Sequence, residues 1–244
     1  MEGPVAAAAG EFPRDPRNYD GPVRLQQIRT RRSGGKVTSG AAAVAQGHGH
    51  RDDVGAKLGM WLFLFTELIL FGGMFIVYAV YRFSHPTEFH VAATELDTLV
   101  GTINTIILLT SSLTVAMSIT AIQKGNKWLS FTLVGFTVML ALAFLVNKYF
   151  EWGHKFEVGL YPGSAILLNK PPGEILYFGL YYVMTGLHAL HVIIGVVVLA
   201  GMMMFIAKDK ITRHSYVRLE AGGLYWHLVD IIWIFLFPLF YLLH

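Results

Sequence analysis

Five apolar runs bounded by charged residues leave this chain little choice of fold: Leu58 to Tyr81, Thr98 to Ile122, Trp128 to Val146, Ile175 to Ala207, and Ala221 to Leu243. Each is long enough to cross a hydrocarbon layer of about 30 Å at a helical rise of about 1.5 Å per residue. The fourth run, about 33 residues or roughly 50 Å as a helix, must tilt or project from the bilayer. The fold class that follows is an all-α polytopic membrane protein. Its five transmembrane helices span about 58–81, 98–122, 128–146, 175–207 and 221–243, and they form a bundle without internal repeats.

Composition agrees: 54% of the 244 residues are hydrophobic and 14% charged, with a mean hydropathy of +0.51. The chain has no Cys, which excludes disulfides, iron–sulfur clusters and thiolate chemistry within it, so any metal would need His, Asp or Glu. Basic residues concentrate in the first 57 positions, including "RTRRSGGK". A basic flank before a membrane span accounts for them better than nucleic acid binding. "VAAAAG" is too short and too weakly apolar for a signal-peptide core.

Eight basic residues (Arg51, Lys57, Lys124, Lys127, Lys208, Lys210, Arg213, Arg218) flank one set of helix ends, and four (Arg82, Lys148, Lys155, Lys170) flank the other. The positive-inside rule therefore places the N-terminus in the cytoplasm and the C-terminus on the periplasmic side. Residues 1–56 form a polar, basic tail whose composition buries too little to offset its own ordering entropy, so a neighbouring subunit is expected to hold it. Residues 57–244 form the membrane domain. The stretch "GLYPGSAILLNKPPGE", with its Pro and Gly turn signals, is expected to be an exposed external connection.

Ionisable side chains deep in a span cost several kcal/mol unless paired, neutral or wetted, and so mark candidate sites. Here they are Glu67, His188, His191, His227 and Asp230, with Glu151 and Glu220 near helix ends. Glu67 sits roughly 15 Å along its helix from Lys57, near mid-membrane, and Asp230 lies at a similar depth. His188 and His191 share one helical face, as do His227 and Asp230 in "YWHLVD". The histidines could serve a haem, and His188 with His191 a metal alongside a carboxylate such as Glu151 or Glu67, while Asp230 is expected to orient His227 by an intrahelical hydrogen bond. The histidines lie at unequal depths and no second Glu-x-x-His unit exists, so polar contacts within the bundle are the favoured reading. The hydroxyls of the second span (Thr102, Thr105, Thr110, Ser111, Ser112, Thr114, Ser118) and Asn104 read as a close-packing face. Tyr149, Phe150, Trp152 and Tyr161 at one boundary, and Trp61 and Trp128 at the other, fit interfacial belts. His48 and His50 in "GHGH" read as idle tail histidines.

Taken in order, "LGMWLFLFTELILFGGMF", "INTIILLTSSLTVAMSIT", "NKYFEW", "MTGLHALHVIIG" and "LEAGGLYWHLVDIIWIFLF" resemble subunit III of the haem–copper oxidases, typically cytochrome c oxidase, from about Lys57 to the C-terminus. The resemblance implies a cofactor-free helical subunit without catalytic or metal-binding residues. It would bind the flank of subunit I in a complex that reduces dioxygen to water and pumps protons, with haem and copper in partner subunits I and II and phospholipid held at its surface. The long form of the family has seven helices, and this chain is similar to the five-helix form. The resemblance also implies that Glu67 is the buried carboxylate that supports proton uptake and borders the lipid cleft. Glu151, His188, His191, Glu220, His227 and Asp230 would be a buried polar network joined by interhelical hydrogen bonds. Lys208, Lys210 and Arg213 would meet lipid head groups in place of a family arginine.

The function expected from these residues is an auxiliary subunit of a terminal oxidase in a bacterial inner membrane. The complex would be a cytochrome c oxidase, with a quinol oxidase or a nitric oxide reductase accessory protein as alternatives. Readings from other classes are a haem-binding cytochrome ligated by His188 or His191, and a proton-coupled transporter using Glu67.

Overall fold

The structure is a computed structural model that describes residues 39–213 and 215–243. The chain divides into two units, Met1–Ala43 and Val44–His244, and the architecture below is that of the second. Seven helices are described: α1 Ser39–Ser84, α2 Pro86–Thr94, α3 Thr98–Gln123, α4 Lys127–Val158, α5 Ala165–Leu168, α6 Pro172–Ala207 and α7 Val217–Tyr241. Five of them, α1 from Lys57 onward together with α3, α4, α6 and α7, are long and apolar enough to cross a membrane, and the described residues contain no strand.

The sequence runs and the helices coincide closely for α3, α6 and α7. The differences have physical causes. Helix α1 begins at Ser39, inside the segment read as a tail, where the Ala-rich "GAAAVAQ" has high helix propensity. The earlier part of that segment, and the side chains of His48 and His50, lie outside the described residues. Helix α4 runs twelve residues past Val146 to Val158 and stops at Gly159, whose φ of 79° supplies the left-handed cap. The polar residues from Asn147 onward do not end it, because Lys148 and Glu151 satisfy each other inside the bundle. Helix α2 was not foreseen; Pro86 opens it and Phe89, Ala92 and Ala93 are buried.

The loop after α4 corrects the expectation in part: Pro162, Gly163, Ala165, Ile166, Leu168 and Asn169 are exposed as expected, but Leu160, Ser164, Leu167 and Glu174 are buried. Ser164 caps the one-turn α5 through Leu167 N–H at 3.0 Å and bonds back to Gly159 O.

Helices α3 and α4 form a hairpin through a turn at Gly125, α7 packs against α3 and α6, and α4 also packs on α6. Gly195 on α6 explains the close approach of α7: a Cβ there would lie 2.7 Å from the Trp226 ring. The core lies among α3, α4, α6 and α7, led by Trp226, Trp233, Tyr177, Tyr181, Phe144 and Phe240. The span of α1 is the least covered, with 6% of its most apolar window buried against 50% for α7. Its outer face of Trp61, Leu62, Phe65, Leu68 and Ile76 is left for lipid or partner.

Candidate functional site

Glu67 on α1 and His191 on α6 meet across the bundle, Oε2 to Nε2 at 2.8 Å, both mostly buried. The other ring nitrogen, Nδ1, lies 2.8 Å from Leu187 O, which can only accept, so Nδ1 carries a proton. One further proton must then lie between Nε2 and Oε2. Either the acid donates to the imidazole or the imidazolium donates to the carboxylate, and the pair is neutral overall in both forms. Phe71 sets its ring edge-on to His191 at 5.3 Å, and Tyr225 donates to the His191 carbonyl at 3.1 Å. The arrangement can pass one proton between two centres at low electrostatic cost.

A second buried cluster lies toward the C-terminal end of α7. Glu151 Oε1 accepts from the hydroxyls of Tyr181 and Tyr241, while Oε2 accepts from Lys148 Nζ at 3.2 Å. Lys148 also donates to Tyr241 at 2.8 Å and lies 5.4 Å from the Trp233 ring centroid. A buried ion pair is stable only when its remaining lone pairs and protons are met, and the two tyrosines meet them. The Lys–Glu spacing of three was visible in the sequence, but nothing there pointed to Tyr181 or Tyr241 as partners.

Between these clusters, α7 is laced to the hydroxyls of α3. Trp226 donates to Ser111 at 3.0 Å, Trp233 donates to Thr105 at 3.0 Å, and His227 Nδ1 is 2.6 Å from Ser112 Oγ. The hydroxyls read from the sequence as a packing face are therefore also hydrogen-bonding partners, as are Asn104 and Asn147 at 3.0 Å.

Several expected contacts are absent. Asp230 does not pair with His227, whose ring reaches across to α3 instead. The Ser112 hydroxyl lies beside the Asp230 carboxyl, yet neither carboxyl oxygen reaches hydrogen-bonding geometry, at 2% exposure. His188 makes no interhelical hydrogen bond either. Its ring is wedged between Phe144 and Trp233, with both nitrogens buried and unpartnered. His188 and His191 thus share a face but not a partner, because only His191 reaches α1. Glu220 makes no side-chain hydrogen bond among the described residues and lines a cavity at the N-terminal end of α7. Among the described residues, no three His, Cys, Asp or Glu side chains converge as metal ligands would.

That cavity, about 740 Å³, is lined by Lys57, Trp61, Ser215, Arg218, Glu220 and His227 among others. The cations at its mouth are therefore Lys57 and Arg218. Lys208 and Lys210 are exposed in the turn after α6, and Arg213 is exposed just beyond them. At the other end of the α1–α7 seam, Phe75, Tyr78, Phe83, Phe235 and Leu239 line a second groove with Arg82 at its edge.

Comparison with known proteins then decides the family. Residues 36–244 match the model of cytochrome c oxidase subunit III. This chain belongs to that family. Cytochrome c oxidase subunit 3 of Thermostichus vulcanus is 32% identical over 218 residues, covering 86% of this chain and 98% of that protein. Cytochrome bo(3) ubiquinol oxidase subunit 3 of Pseudomonas aeruginosa is 29% identical over 211 residues, covering 85% and 95%. The haem–copper oxidase subunit I+III of Aeropyrum pernix is 32% identical over 189 residues, 75% of this chain but 22% of that longer protein. As a subunit III, the chain is a multi-pass membrane component of a terminal oxidase, and its described residues form an all-helical fold with five candidate spans.

Proposed function

We propose that this subunit supports, rather than performs, the reduction of dioxygen to water by a proton-pumping oxidase. It docks on subunit I, which with subunit II carries the haem and copper, holds phospholipid along α1, and sustains proton uptake through the Glu67–His191 pair. The 2.8 Å contact between those side chains carries this reading, since it joins two titratable groups around a single shared proton, and Glu67 is the one charged residue of α1 between Lys57 and Arg82. The relative in which subunits I and III are one chain supports subunit I as the main partner.

We assign the N-terminus to the cytoplasmic side of a bacterial inner membrane. Two of the four basic residues counted against that orientation, Lys148 and Lys155, are buried and hydrogen-bonded within the bundle, which sharpens the asymmetry. Cytochrome c is the proposed donor, with quinol as the alternative carried by the bo(3)-type relative. The N-terminal tail is assigned to a neighbouring subunit. Lipid phosphates are assigned to Lys57 and Arg218 together with Lys208, Lys210 and Arg213.

The test is Glu67→Ala in the assembled complex. Proton uptake and sustained turnover are expected to fall while the haem spectrum is unchanged. An altered haem spectrum with normal proton uptake would refute the role.

A further inference from the structure

We propose that Asp230 is a second, separate proton-exchanging site, fed from the cavity at the N-terminal end of α7 through His227 and Ser112. The proposal starts from an exception in the α3–α7 seam. Trp226, Trp233 and His227 of α7 each find an α3 hydroxyl, whereas Asp230, in the middle of that row, is buried with both oxygens unpartnered. A buried polar group without a partner costs stability and calls for a reason.

Ser112 is the other exception. Beyond the first residue of α3, every other Ser and Thr of that helix donates its hydroxyl to a carbonyl of its own helix: Thr102, Thr105, Thr110, Ser111, Thr114, Ser118 and Thr120. The Ser112 hydroxyl makes no such bond. It meets His227 Nδ1 at 2.6 Å and lies beside the Asp230 carboxyl. A hydroxyl free of its own backbone can accept on one side and donate on the other, which is what a relay requires.

His227 in turn lines the cavity, two helical turns from Glu220 on the same face of α7, with Lys57, Ser215 and Arg218 at the polar mouth. The transfer balances without a co-reactant. As the Nδ1–H bond of His227 breaks, an O–H bond forms at Ser112. The proton already on Ser112 leaves for a carboxylate oxygen of Asp230, and His227 is reprotonated from the cavity. Release runs the same steps backward. Glu67 and His191, on α1 and α6, take no part.

The experiment is infrared spectroscopy of the assembled complex over a pH series in H2O and D2O. The carboxylic acid C=O band of Asp230 is identified by its loss in Asp230→Asn. It is expected to shift on transfer to D2O, and to do so at least about a hundredfold more slowly in Ser112→Ala and in His227→Phe, the scale at which a positioned proton carrier acts. Ser112→Thr, which keeps a hydroxyl, should restore the fast rate, and co-purification with subunit I confirms that each variant assembles. A band that exchanges equally fast in both variants overturns the relay. The absence of any Asp230 band across the series overturns the site. Slowing of Asp230 exchange by Glu67→Gln overturns the separation of the two sites, whereas normal Asp230 exchange with no effect of Glu67→Ala on turnover would sink only the Glu67 role.

Discussion

The two ends of the bundle are built on opposite plans. At the C-terminal end of α7, the carbonyls left without an intrahelical donor are capped by side chains from other helices. Tyr78 of α1 donates to Leu239 O, Tyr177 of α6 to Phe240 O at 2.7 Å, and Thr98 of α3 to Tyr241 O at 3.1 Å. His90 of α2 meets Leu243 O at 2.9 Å. The Lys148–Glu151–Tyr181–Tyr241 cluster lies just beneath. At the N-terminal end of α7 the helices part around a cavity, and the ion pair of Lys127 with Asp209 at 2.6 Å is exposed. A helix end inside protein must find donors for its carbonyls, whereas an end beside head groups and water need not. On this basis the closed end should contribute more to stability than the open end, which offers the cavity.

The sharpest way to break this contrast is Lys148→Ala, which strands the Glu151 carboxylate and should cost about 3–5 kcal/mol, read as a loss of assembled complex or a lowered unfolding midpoint. The double change Lys148→Met with Glu151→Leu should recover most of that loss, because removing both charges leaves none unpaired. Gly195→Val comes next, since a side chain there meets the Trp226 ring; overpacking should cost about 1–3 kcal/mol in thermal unfolding. Tyr177→Phe removes one cap, and a loss of about 0.6 kcal/mol, at most about 1.7, is expected from the range for hydrogen bonds within membranes.

At the open end, Lys57→Gln with Arg218→Gln should change stability by less than about 0.5 kcal/mol while lowering the anionic phospholipid that co-purifies. Lys127→Ala should be the smallest change, below about 0.5 kcal/mol, because an exposed pair gains little over its hydration. If the open-end variants unfold the protein as readily as Lys148→Ala, the contrast between the ends is wrong.

Hydrophobic runs made the spans legible because a bilayer asks only for length and apolarity. They failed at Val146, where polar residues looked like an exit and are in fact an internal ion pair. They also failed in the loop after α4, where Pro and Gly correctly marked turns but said nothing of Leu160 and Leu167 folding back onto the core. The buried acids and histidines were identifiable as candidates because charge in a span is costly. Their partners were not: helical spacing put His188 beside His191 and His227 beside Asp230, and contacts across helices separated both pairs.

By itself, the order of residues determined five membrane-crossing helices, the ionisable groups to be accommodated within them, and the charge asymmetry of their flanks. All of these follow from local hydropathy and a helical rise that is the same everywhere. Tertiary structure alone decided that Glu67 faces His191, that Ser112 stands between His227 and Asp230, and that Tyr181 and Tyr241 close over Glu151. Such choices depend on how helices far apart in the chain rotate against one another, and that rotation is set by packing the whole bundle rather than by any one segment.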